Sequence, residues 1–173
     1  MQRTHRSLTA SYAVRFIAKF PRDARVPRPI QSEAAASLLA ELRAGTGLFE
    51  GPSSRAHSRN GIAVAATPEG RIGIDIEHRL PTRPIRDIAR LLMDATPTDD
   101  DAAWRVFTFH EAYFKAFGEM AGPARLRAVA GTTTPTYRTT EGLNVLHETV
   151  DGDFALTLVW DGPVEAVRLP GED

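Results

Sequence analysis

At 173 residues, 42% apolar and 25% charged, the chain has the scale of one globular domain, or of two small lobes sharing a core, large enough to fold without a staple. With no cysteine it excludes a disulfide framework, a zinc–cysteine site and thiol catalysis. A formal net charge of −1 argues against wholesale electrostatic binding of nucleic acid, and no apolar run approaches the roughly 20 residues of a membrane span; the lack of cysteine fits a reducing cytosol, so a cytoplasmic protein with no membrane partner is expected.

The N-terminal residues 1–15 are basic and free of acids, and read as a frayed leader into a first strand. In residues 13–20, Val14, Phe16 and Ala18 alternate with Arg15, Ile17 and Lys19, which is a strand pattern. Residues 21–29 hold three prolines and three arginines and are expected to be loop. Ser32 then precedes residues 33–43, where Ala36, Leu38, Leu39 and Leu42 recur at helical spacing; Ser32 is the expected cap and Gly45 the expected stop. Residues 45–60 look like loop. Residues 61–67 and 71–77 are apolar runs that predict two strands joined by a tight turn at Pro68-Glu69-Gly70. A short helix is expected over 84–94, with Pro84 in its first turn. Thr98-Asp99-Asp100-Asp101 opens a longer helix: Thr98 with Asp101 resembles a capping box, and the three acids suit a helix N-terminus better than a metal site. That helix runs to Phe117 and stops at Gly118. Residues 143–149 and 154–160 predict a hairpin around Asp151-Gly152, and residues 164–169 an edge strand ended by Pro170. The fold class expected is α+β with antiparallel pairing.

Two segments carry chemistry. In Ile72-Gly73-Ile74-Asp75-Ile76-Glu77, a strand places Asp75 and Glu77 on one face. On the long helix, Glu111 and Lys115 are four apart and share a face. Taken alone, the acids of the strand would be solvated and the helical pair would be an ordinary surface ion pair. Their neighbours change that: Trp104, Phe107, Phe114 and Phe117 make the helix rich in core residues, and a carboxylate near apolar surface is costly unless paired or metal-bound. Three carboxylates and an ammonium that converge suit a divalent cation gripping a phosphate.

These residues resemble the 4′-phosphopantetheinyl transferases. The family's signatures are a strand of the form (I/V)G(I/V)D(I/V)E and a helix of the form (F/W)xxKE(A/S)xxKAxG; here they read IGIDIE and FTFHEAYFKAFG. Arg55-Ala56-His57-Ser58, ahead of a small apolar strand, is a partial counterpart of a third, SHS-like element. The resemblance covers residues 54 to about 122 closely and the rest by order of elements; the N-terminal strand and helix liken the chain to the two-lobed surfactin-synthetase-activating type, in reduced form.

The resemblance implies two similar lobes, each a small antiparallel sheet with packed helices: residues 1–67 on the coenzyme A side and 68–173 with the metal motifs, in one pseudo-two-fold unit. It implies transfer of the phosphopantetheine arm of coenzyme A to a serine of an acyl or peptidyl carrier protein, with release of adenosine 3′,5′-bisphosphate, by a monomer. Asp75 and Glu111 would bind Mg²⁺, or Mn²⁺, with Glu77 as a third ligand directly or through water. Glu111, or a water it orients, would accept the serine proton, Lys115 would hold phosphate oxygens, and His57 would contact a phosphate of coenzyme A. His110 stands where the family has a lysine, as a phosphate contact if protonated. No Gly-Lys-Pro turn occurs in residues 45–53 and no arginine early in the Ser32 helix, which leaves Arg22, Arg25 and Arg28 as substitutes for holding the nucleotide end. Arg83, Arg86 and Arg90 are spaced to steer an acidic partner. The alternative is a non-catalytic carrier-protein or coenzyme A binder that keeps the fold.

Overall fold

The computed structural model describes residues 9–162 and 165–170. Residues 1–8 of the expected leader, with His5, and Val164 at the head of the expected edge strand lie outside them. In chain order the elements are β1 (Ala10–Phe16), α1 (Arg28–Thr46), β2 (Ser53–Ser58), β3 (Gly61–Ala66), β4 (Ile72–His78), α2 (Ile85–Met93), α3 (Asp100–Phe117), α4 (Pro123–Ala130), β5 (Thr136–Arg138), β6 (Asn144–Val150), β7 (Phe154–Trp160) and β8 (Ala166–Arg168). Among the described residues this is an α+β chain with two four-stranded sheets, ordered β2-β3-β1-β8 and β4-β7-β6-β5. Pairing is antiparallel except between β1 and β8, which run parallel, so the C-terminal strand returns to the first sheet. No helix among the described residues is long and apolar enough to cross a membrane.

Alternation along the strands builds the layers. Ile62 and Val64 of β3 face α1 and pack on Leu38, Leu39 and Leu42. Ala63 and Ala65 face the other way, into a layer between the sheets shared with Tyr12, Val14, Leu156, Leu158 and Trp160. A strand buried on both faces needs no polar alternation, which accounts for the continuous apolar run of β3. On β4, Ile72, Ile74 and Ile76 enter this central layer. The opposite face of the second sheet is covered by α3, with α2 and α4 packed on it through Ile85, Met93, Trp104, Phe109, Leu126 and Val129.

Several expectations need correction. The first strand starts and ends earlier than 13–20, because Ala10 and Ser11 also pair with the first sheet. Helix α1 starts at Arg28, a turn before Ser32, and ends at Gly47 in the left-handed conformation rather than at Gly45. Pro27 and Pro29 bring no N–H to the unsatisfied first turn, so this start needs no side-chain cap. Residues 53–58 are a strand, not loop, and β3 and β4 join different sheets instead of forming a hairpin. The cap of α3 is Asp99, which accepts from the Ala102 N–H at 2.7 Å, one residue after the expected Thr98. Gly118 ends α3 as expected, and the β6–β7 hairpin turns at Asp151-Gly152, both at positive φ. Helix α4 and the short β5 were not foreseen.

Candidate functional site

The site forms where the edge strand β4 meets α3. Gly73 faces the helix so closely that a Cβ there would sit 1.9 Å from the Ala112 carbonyl oxygen. Only glycine allows this approach. One step of the pleat further, Asp75 faces the same helix, and Lys115 donates to its Oδ1 at 2.7 Å and to the Ile74 carbonyl at 3.1 Å. Asp75 is 5% exposed, and its Oδ2 is buried without a hydrogen-bond partner. Burial pushes its carboxyl up to about 7; Lys115 opposes the rise, while the charges of Glu77 and Glu111 add to it. Glu111, one helical turn before Lys115, is thus near enough to be felt by Asp75.

Glu77, on the same face of β4, accepts at Oε2 from Ser58 Oγ at 2.9 Å and from Arg83 Nη1 at 2.8 Å. Strand β2 lies along the free edge of β4 and satisfies it with side chains: the Ile74 N–H donates to Ser54 Oγ and the His78 N–H to Ser58 Oγ, each at 3.1 Å. This hydroxyl seam joins the two sheets and brings His57 in beside Lys115. Burial lowers the His57 pKa, and the cations of Lys115 and Arg28 lower it further. Asp75, Glu77, Glu111, Lys115 and His57 are therefore gathered at one seam, with Arg28 as a neighbour. Arg28, expected in a loop, stands at the head of α1, because the helix begins at the proline-flanked residue 28 and not at Ser32.

His110 is 6% exposed and its Nδ1 is buried without a partner. Other residues that were given functions have structural partners. Arg22 pairs with Asp151 at 2.5 Å and lies over the Phe16 ring. Arg83 precedes α2 and is engaged by Glu77, so it does not share a helix face with Arg86 and Arg90; Arg86 donates to the Pro97 carbonyl and Arg90 lies 4.0 Å from Asp87. Asp101 pairs with Arg79. No group of three or more histidine, aspartate or glutamate side chains among the described residues stands ready-made around a metal position.

A polar row not foreseen in the sequence crosses the second sheet beside Asp75. Asp75 is paired with Thr157, and Thr157 with His147, on the face that meets α3. Thr108 donates to the Trp104 carbonyl at 2.9 Å, so its 2.7 Å bond to Thr157 uses the Thr157 proton. His147 Nδ1–H then donates to Thr157 Oγ1 at 2.8 Å, leaving Nε2 to accept from the Tyr137 hydroxyl at 3.2 Å. Every proton in the chain is placed with a neutral imidazole, in keeping with burial and Arg105 depressing the His147 pKa to about 3.

Compared with family models and with curated proteins, the chain shows no match.

Proposed function

We propose that this chain is a 4′-phosphopantetheinyl transferase. With Mg²⁺, or Mn²⁺ in its place, it moves the phosphopantetheine arm of coenzyme A to a serine of an acyl or peptidyl carrier protein and releases adenosine 3′,5′-bisphosphate. The observation that carries this is Asp75: a buried carboxylate with one oxygen left without a partner, beside two further carboxylates whose charges oppose its ionisation. Such an arrangement is costly in a folded protein. A hard divalent cation would relieve it, and the donors are the all-oxygen set such cations take. Mg²⁺ needs only one or two carboxylates when substrate phosphates and water complete its shell. Asp75 and Glu111 would serve, with Glu77 as a third ligand directly or through water. Two four-stranded sheets, each with helix on its outer face, support the two-lobed form and require no second copy of the chain.

When bound, the ion would supply Lewis-acid polarisation of the pyrophosphate. The remaining work falls to side chains at the seam. Glu111, or a water it orients, accepts the proton of the carrier serine. Lys115, which bonds Asp75 Oδ1, would donate to phosphate oxygens as charge develops on the leaving bisphosphate. His57 and Arg28 hold phosphate at the α1 side.

The second reading, a carrier-protein or coenzyme A binder without transfer, draws on His110, which replaces the family's lysine and is almost wholly buried. Mass spectrometry of an apo carrier protein incubated with this chain, coenzyme A and Mg²⁺ separates the two. A mass gain of one phosphopantetheine arm is expected; binding without that gain would leave the second reading in place of the first.

A further inference from the structure

Arg83 is not among the groups that the transfer chemistry uses, yet it grips one of the three acids. Its Nη1 donates at 2.8 Å to the same Glu77 oxygen that Ser58 holds at 2.9 Å. The guanidinium lies 4.5 Å from the Phe107 ring centroid and 5.8 Å from that of Trp104. Its backbone is pinned in a turn, with Arg83 N–H donating to the Leu80 carbonyl at 3.0 Å and the Ile85 N–H to the Arg83 carbonyl at 2.7 Å. Both partners are sheltered: the Glu77 side chain is 20% exposed and that of Arg83 30%. A guanidinium fixed in this way is pre-organised. It matches the Glu77 charge and anchors that carboxylate by one oxygen.

We propose that Arg83 sets how tightly the site holds a free divalent cation, by tethering the third carboxylate through one oxygen and matching its charge. The inference rests on the metal reading above. With Glu77 matched by Arg83 and Asp75 by Lys115, only Glu111 brings an unmatched negative charge, and a free ion finds little net attraction. Phosphate oxygens then have to complete the shell, so the ion enters together with its phosphate-bearing substrate. Taking away the guanidinium restores the Glu77 charge and frees its carboxylate; affinity for divalent cations rises with the number of ligand charges.

Titration of Mn²⁺ with the full chain, following the free-ion signal by electron paramagnetic resonance, tests this. Arg83→Met keeps an apolar stem against Phe107 and is expected to bind Mn²⁺ about tenfold more tightly than wild type, because one more unmatched ligand charge faces the ion. Arg83→Met combined with Glu77→Gln should return to the wild-type level, and Arg83→Lys should stay within about twofold of it. Damage to the fold would weaken binding, the opposite direction. Should Arg83→Met fail to fold, Ser58→Ala loosens the other anchor of the same oxygen and should tighten binding by a smaller factor. Wild-type binding with no tightening in Arg83→Met or Ser58→Ala overturns the role of Arg83 and leaves the metal site standing. No saturable Mn²⁺ binding in any variant, with pyrophosphate present or absent, overturns the metal site and this inference together.

Discussion

Asp75→Asn should make the metal-free protein more stable, and increasingly so as the pH rises. In the folded chain the Asp75 carboxyl keeps its proton up to about pH 7, chiefly because it is buried, against an ordinary value of 3.8. Between those limits the folded state binds more protons than the unfolded state, so stability falls as pH rises through the window and levels off above it. At about 1.4 kcal/mol per pH unit, the full cost above pH 7 is on the order of 4 kcal/mol, of which roughly a third is already in place at pH 5. Asparagine does not ionise and escapes it. The attraction of Lys115 is already contained in that value, since its charge opposes the rise; in the variant the Lys115 side chain, 29% exposed, turns to water. The advantage of Asp75→Asn over wild type should therefore grow by about 2 to 3 kcal/mol between pH 5 and pH 8. Urea unfolding of both proteins in chelator at pH 5, 6, 7 and 8 measures it, and the other titrating groups cancel in the difference. A difference that stays flat with pH, or turns against the variant at pH 8, would refute the account of Asp75 as a charge held at the expense of stability. On the proposed transferase function, the same variant should lose carrier modification.

Glu111→Ala is expected to abolish carrier modification with an unchanged circular dichroism spectrum; near-normal turnover would remove Glu111 from the site. Carrier modification should also stop when Mg²⁺ and Mn²⁺ are chelated and return when either is restored, and full activity in chelator would contradict the metal role. Gly73→Ala drives a methyl into the Ala112 carbonyl and should cost about 3 kcal/mol or more in chemical denaturation, since backbone on both sides has nowhere to go. His147 should show no titration between pH 5 and pH 8 by NMR, with the Nδ1–H tautomer throughout. Because its folded pKa lies below the ordinary value, its contribution to stability is present above about pH 6.5 and is lost as the pH falls towards 3, so a His147 signal that titrates near 6.5 would disprove the buried chain of hydrogen bonds.

What the sequence determined by itself is local. The alternation of Ile72, Ile74 and Ile76 with Gly73, Asp75 and Glu77 decides which side of β4 is acidic, because the pleat leaves no other choice. Asp99 and Gly118 bound α3 through hydrogen bonds made within a turn of the chain, and Asp151-Gly152 sets the β6–β7 hairpin by its positive φ. Glu111 and Lys115 share a face of α3 for the same reason of period. Tertiary structure decided the rest. Ser53-Ser54-Arg55-Ala56-His57-Ser58 has no apolar alternation and becomes a strand only because β3 supplies its ladder and β4 takes its hydroxyls, twenty residues further on. The early start of α1, which sets Arg28 beside His57, rests on prolines that need no cap and on the burial of Gln31 against the β2–β3 turn. Periodicity places His110 on a helix without saying how deep that side of the helix lies. Nor does spacing tell that Lys115 spans to Asp75, or that Arg83 takes Glu77 and stands apart from the α2 arginines. Those partners are far apart in the chain, and the charge state of Asp75 depends on how much water the packed α3 excludes from it, a quantity no stretch of sequence contains.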